Sequence, residues 1–171
     1  MVWLTADLGW AATTAGIVVA VSQFTGAAGR IVIGALSDRV GTRVRVMRVV
    51  AMAGIGSMLL LGLAGASHWA PAAAVMLIIA STISVADNGL AYTSVAEAAG
   101  PSWAGKALGL QNTGQYLVAA AVGPVVGALI GLVGYPIAFA LVGVAPLASL
   151  GLVPDRDQHW DVPDDQPPRP V

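Results

Sequence analysis

Five apolar runs, at about 12–36, 46–64, 71–95, 107–133 and 136–153, alternate with short breaks along the 171 residues. Each run is close to the roughly 20 residues that carry an α-helix across the hydrocarbon of a bilayer. The breaks at 67–71, 100–105 and 134–136 hold the glycine and proline expected of tight turns, so neighbouring runs should be antiparallel. The pattern predicts an all-α membrane protein with five transmembrane helices. It divides the chain into an outer-side segment at 1–10, a five-helix domain at 11–153 and a tail at 154–171. The tail is acidic and proline-rich, too poor in aliphatic side chains to order itself, and is expected to be disordered.

Lysine and arginine give the spans a direction. Arg39, Arg43, Arg45 and Arg48 surround the first break, Lys106 flanks the third, and Arg156 and Arg169 lie in the tail, whereas the alternate breaks hold none. Positive charge collects on the cytoplasmic side, which puts the N-terminus outside and the tail inside. Trp3, Trp10, Trp69, Tyr135 and, on the inner side, Trp103 are expected to anchor the helix ends at the interfaces. Arginine outnumbers lysine amid abundant Ala, Val and Gly, which fits a bacterial chain encoded by GC-rich DNA and a multi-pass place in the inner membrane.

Composition agrees. The chain is 57% hydrophobic and 10% charged, against roughly 25% charged in a soluble domain. A net charge of −1 excludes a strongly basic nucleic-acid binder. There is no cysteine, and His68 and His159 are too far apart to form a metal cluster. With no catalytic triad, phosphate loop or ligand cluster, nothing points to an enzyme, a cofactor or a metal. Residues 1–10, interrupted by Asp7, do not read as a cleavable leader.

Polar residues within the runs are unevenly shared. The second and fifth runs hold little beyond Ser57 and Ser149. The first holds Ser22, Gln23 and Arg30; the third Ser84, Asp87, Asn88 and Tyr92; the fourth Gln111, Asn112, Gln115 and Tyr116. Such groups are costly in hydrocarbon and face a bundle interior or wet cavity, so three runs should line a cavity and two should be peripheral. Asp87 lies well inside its run and, at helical spacing, shares a polar arc with Ser81, Ser84, Asn88 and Tyr92. An intramembrane carboxylate is a candidate for proton coupling or solute binding, and equally for a structural aspartate held by hydrogen bonds. The candidate solute or proton site is therefore Asp87, Asn88, Tyr92, Gln111, Asn112, Gln115, Tyr116 and Gln23. Gly123, Gly127 and Gly131, with Pro124, form a small-residue stripe suited to packing against another helix.

The first break reads GALSDRVGTR at 34–43. Joining two membrane helices, it resembles the cytoplasmic signature loop of the major facilitator superfamily of secondary transporters, with Gly34, Asp38, Arg39, Gly41 and Arg43 at the matching positions. The stretch from Asn88 to Leu117 is similar to the tenth-to-eleventh span region of its bacterial permeases. In that family the third and sixth spans of each half are peripheral. Taking the five runs as spans eight to twelve puts the two bland runs at those places. The resemblance implies the C-terminal portion of a transporter that moves a small solute through the bilayer by alternating access, with residues 1–10 ending a preceding span. It also implies a missing N-terminal half, or another membrane chain, as partner. It assigns the loop to gating: Gly34 and Gly41 for the tight turn and close helix approach, Asp38 to cap a neighbouring helix, the arginines as anchors. Arg30, two turns before Asp38, can snorkel to the cytoplasmic surface and is expected to support that loop rather than bind solute. Gly123-Pro124-x-x-Gly127 resembles part of an antiporter motif, but Ala119 and Ala128 depart from it. The rival reading is a non-transporting fragment or assembly subunit.

Overall fold

The computed structural model describes residues 2–67, 69–144, 146, 147 and 157. Beyond a helical turn at Trp3–Asp7, it contains α1 (Ala12–Val40), α2 (Arg43–Ala66), α3 (Ala70–Ala86), α4 (Asn88–Ala99) and α5 (Ala104–Val144). No strand occurs among the described residues. In hydrocarbon a helix satisfies its own backbone groups, which is why these apolar runs form helices rather than open strands.

Four helical stretches are long and apolar enough to cross a membrane: α1, α2, α3 and α4 taken together as Ala70–Ala99, and α5. This is an all-α membrane bundle. At 41 residues, an unbroken α5 would run about 60 Å, twice the thickness of the hydrocarbon. Gly134 (φ 77°, ψ 169°) breaks it into two arms, at the turn expected from the sequence. The fifth run, expected at 136–153, is helical through Val144; most of its remainder, like the tail apart from Asp157, lies outside the described residues.

Glycines and a proline set the helix ends. Gly41 (φ 71°) closes α1 in the left-handed conformation, its N–H donating to Ser37 O. Pro71 sits in the first turn of α3, where a missing N–H costs nothing.

α1 packs on α3; α2 packs on α3 and α5; α4 packs on α5. The α1–α3 contact is close because Gly26 and Gly29 face Val85 and Thr82, and the hydroxyls of Thr25 and Thr82 lie 2.7 Å apart. Gly62 of α2 admits the backbone of the second α5 arm at Pro136. The bland second and fifth runs are thus packed on one another, and Ser57 donates to Gly54 O in its own helix.

The bundle has a loop end, where α1 turns into α2 and α4 into α5, and a far end holding Ser67, Gly134 and the N-terminal turn. At the far end Trp3 is 4% exposed, with ring centroids 4.9 Å from Phe139 and 6.3 Å from Tyr135. Its indole N–H donates to Asp7. Trp3 is therefore a core residue and not the interfacial anchor expected of it, because Gly65 leaves room for the ring. Trp69 and Trp103 are exposed.

Candidate functional site

Three features occupy the bundle from the loop end inward. The first is an ionic cluster on the α1–α2 turn. Arg43, the first residue of α2, donates from Nε to Glu97 Oε2 (2.8 Å) and from Nη2 to Glu97 Oε1 (2.7 Å). This two-pronged pair ties the turn to the end of α4. Asp38 lies 3.4 Å from Arg43 Nη1 and its side chain is 71% exposed, so it is the weaker partner.

Asp38 does not cap the neighbouring helix as expected. Asp157 does: its carboxylate accepts from the backbone N–H of Arg43 (3.0 Å) and of Val44 (2.8 Å). Two N–H groups that a helix start leaves unpaired are satisfied, and a negative charge meets the positive end of α2. Thr42, which precedes α2, makes no side-chain cap of its own. Arg39 is exposed in the last turn of α1. Gly34 has no described atom within 4 Å of where a Cβ would stand; the close approach of α1 occurs at Gly26 and Gly29 instead.

The second feature is a crevice of about 390 Å³ between α1, α4 and α5, lined by Arg30, Asn88, Gly89, Tyr92, Gln115, Tyr116 and Ala119. The Tyr92 hydroxyl lies 2.8 Å from Asn112 Oδ1 and 2.8 Å from Gln115 Oε1. One hydroxyl proton serves one acceptor, so the second amide completes the pair by turning its N–H₂ toward the phenolic oxygen. Gln111 Oε1 is buried with no hydrogen-bond partner among the described residues. Gln23 lies exposed on α1, two turns before Arg30, and is not among these lining residues.

Arg30 differs from its expected place. Its Nε donates to Val85 O (3.2 Å), near the end of α3, so it braces the break between α3 and α4 rather than the loop.

The third feature is a separate crevice of about 470 Å³ between α2, α3 and the second arm of α5, lined in part by Ser84, Asp87, Met58 and Gly143. Asp87 lies at the α3–α4 break, where its carbonyl accepts from Ala91 N–H. The predicted polar arc is divided there: Ser84 and Asp87 line one crevice, Asn88 and Tyr92 the other. The signal for the break was present in the run Asp87-Asn88-Gly89, three residues of low helix propensity.

Gly123, Gly127 and Gly131 lie on the first arm of α5, where no described atom comes within 4 Å of an added Cβ. No described helix covers the stripe.

Residues 1–169 match the sequence profile of the Major Facilitator Superfamily. The chain belongs to the Major Facilitator Superfamily. It is 47% identical over 157 residues, 91% of its length, to an uncharacterized MFS-type transporter of Mycobacterium tuberculosis strain H37Rv. An uncharacterized MFS-type transporter of strain CDC 1551 is 46% identical over the same length. The chain spans about 35% of the length of each of these relatives. No solved structure matches it. Superfamily membership and the long apolar helices make this a multi-pass membrane protein in a lipid bilayer.

Proposed function

We propose that the chain forms the C-terminal portion, spans eight to twelve, of a transporter that moves a small solute by alternating access. The observation that carries this is the Arg43–Glu97 pair, with Asp38 beside it, at one end of a bundle whose polar crevice lies deeper. A reversible ionic clasp at one end of a cavity is what a gate requires: closed, it holds the helix ends together; open, it lets water and solute in. The solute site is the Asn88, Tyr92, Asn112, Gln115 and Tyr116 group, with Gln111 beside it, and Asp87 serves proton coupling or support from the neighbouring crevice. Gln23, which does not line that crevice, would need the completing helices to bring it into use.

The uncovered glycine stripe on α5 then receives helices of the completing N-terminal half. The clasp then faces the cytoplasm of a bacterial cell, with residues 1–10 outside at the end of a preceding span and 154–171 as a cytoplasmic tail, a reading that the charge distribution supports. Reporter fusions after Trp69 and at Val171 should then report opposite sides.

The deciding experiment is solute uptake into liposomes. The chain joined to its completing helices should accumulate solute, and the chain alone should not, since alternating access rocks one half against the other. Uptake by the chain alone would refute the partial-transporter reading. Its absence from both preparations would favour an assembly subunit.

A further inference from the structure

The charge in the crevice between α1, α4 and α5 is one-sided. Arg30 is the only charged residue lining it among the described residues, and its other lining side chains are neutral amides, tyrosines and alanine. Of the nearest acids, Asp87 lines the other crevice and Glu97 is bound by Arg43. A guanidinium stays protonated in any protein setting, so this charge cannot be relieved by losing a proton.

Arg30 is exposed in the structure, and one hydrogen bond orients it. Arg30 lies about 12 Å along α1 from Asp38, well into the apolar part of the helix. Its Nε is spent on Val85 O, which turns the guanidinium plane against the α3–α4 break. The four N–H groups of its terminal nitrogens have no hydrogen-bond partner among the described residues. A cation at that depth is costly unless an anion or water meets it. A tethered guanidinium presents a planar fork matched to two oxygens of a carboxylate or phosphate. Asn88, Tyr92, Gln115 and Tyr116 line the same crevice with neutral hydrogen-bonding groups, and about 390 Å³ is room for a small organic molecule.

We infer that the solute held in this crevice is a small anion whose carboxylate or phosphate group pairs with Arg30. The inference rests on the transporter reading for the word solute, but binding alone tests it. An anionic lipid headgroup offers the same oxygens, and the tether to Val85 argues against it because Arg30 is held away from the loop end.

The test is binding to the assembled transporter in phosphatidylcholine nanodiscs, by calorimetry and by the shift in melting temperature. The probes are benzoate, succinate and inorganic phosphate, with benzamide and benzylammonium as neutral and cationic counterparts. At least one anion should bind and raise the melting temperature, and the counterparts should not. Arg30→Gln should weaken that binding about tenfold or more, the loss of a charged hydrogen-bonded pair. Arg30→Lys, which keeps the charge without the fork, should fall between, and it decides the matter if Arg30→Gln fails to fold. Anion binding unchanged in both variants, binding confined to benzamide or benzylammonium, or no anion binding overturns the inference. So does Arg30-dependent stabilisation by phosphatidylglycerol nanodiscs without any response to the soluble anions. Binding without uptake in liposomes would sink the transporter reading alone; uptake of a neutral or cationic solute, indifferent to Arg30, would sink this one alone.

Discussion

Arg43 and Glu97 join through both carboxylate oxygens, 54 residues apart in sequence, and this pair holds the α1–α2 turn against the end of α4. Both side chains are partly exposed, 24% for Arg43 and 31% for Glu97. A pair so exposed adds only about 0–1 kcal/mol to stability. Its value lies in selecting one arrangement of the helix ends.

Glu97→Gln should therefore leave the melting temperature nearly unchanged while altering the turnover of the assembled transporter, since the clasp biases a conformational equilibrium. Asp38→Ala should act in the same direction but less, because Asp38 is 3.4 Å from Arg43 and highly exposed. The exchanged pair Arg43→Glu with Glu97→Arg should restore part of the turnover. Initial rates at saturating solute provide the readout, and a defect in solute affinity with normal turnover would move these residues into the binding site.

Asp157 should stabilise the start of α2. Asp157→Ala removes acceptors from the N–H groups of Arg43 and Val44, a loss of about 1 kcal/mol by analogy with other helix caps. Asp157→Asn keeps one acceptor oxygen and should lose less. Thermal unfolding of the three proteins in detergent should rank native, Asn, Ala; an Ala protein as stable as the native one would show that the cap does not hold in solution.

Two glycines should respond in opposite ways to an added side chain. A Cβ at Gly62 would stand 2.8 Å from the carbonyl oxygen of Pro136, a backbone atom that moves only with its helix, so Gly62→Ala should cost about 1–3 kcal/mol. Gly127 has open space around it, and Gly127→Leu should leave the chain's own packing intact while blocking association with completing helices. Unfolding midpoints measure the first effect and co-purification with the completing half the second. Normal co-purification of the Leu variant would remove the stripe from the interface.

Asp87→Asn separates coupling from support. If the carboxylate carries protons, the variant should retain solute exchange and lose accumulation driven by a pH gradient. A structural aspartate would give way to Asn with gradient-driven uptake nearly intact, since the amide keeps most of the hydrogen-bonding capacity. Both fluxes in the same liposomes decide, and retained accumulation ends the coupling role.

Sequence alone determined that this is a helical membrane protein and where its long apolar helices lie, and it pointed to a ten-residue loop that resembles the superfamily signature. Those are local quantities: the length of an apolar run, the residues that end it, and a ten-residue motif set its transfer to lipid and its turns. Tertiary structure decided which polar groups meet. Asp157 reaches the start of α2 from 114 positions away, and no periodicity in either segment marks that contact. The polar arc around Asp87 is broad, and the helices packed on its two sides divide it between two crevices, Ser84 with Asp87 and Asn88 with Tyr92. Arg30 read as loop support from its spacing along α1, and the glycines at 26 and 29 bring α3 close enough for it to meet Val85 instead. Each outcome depends on how near one helix backbone comes to another, and that distance is set by the packing of whole helices.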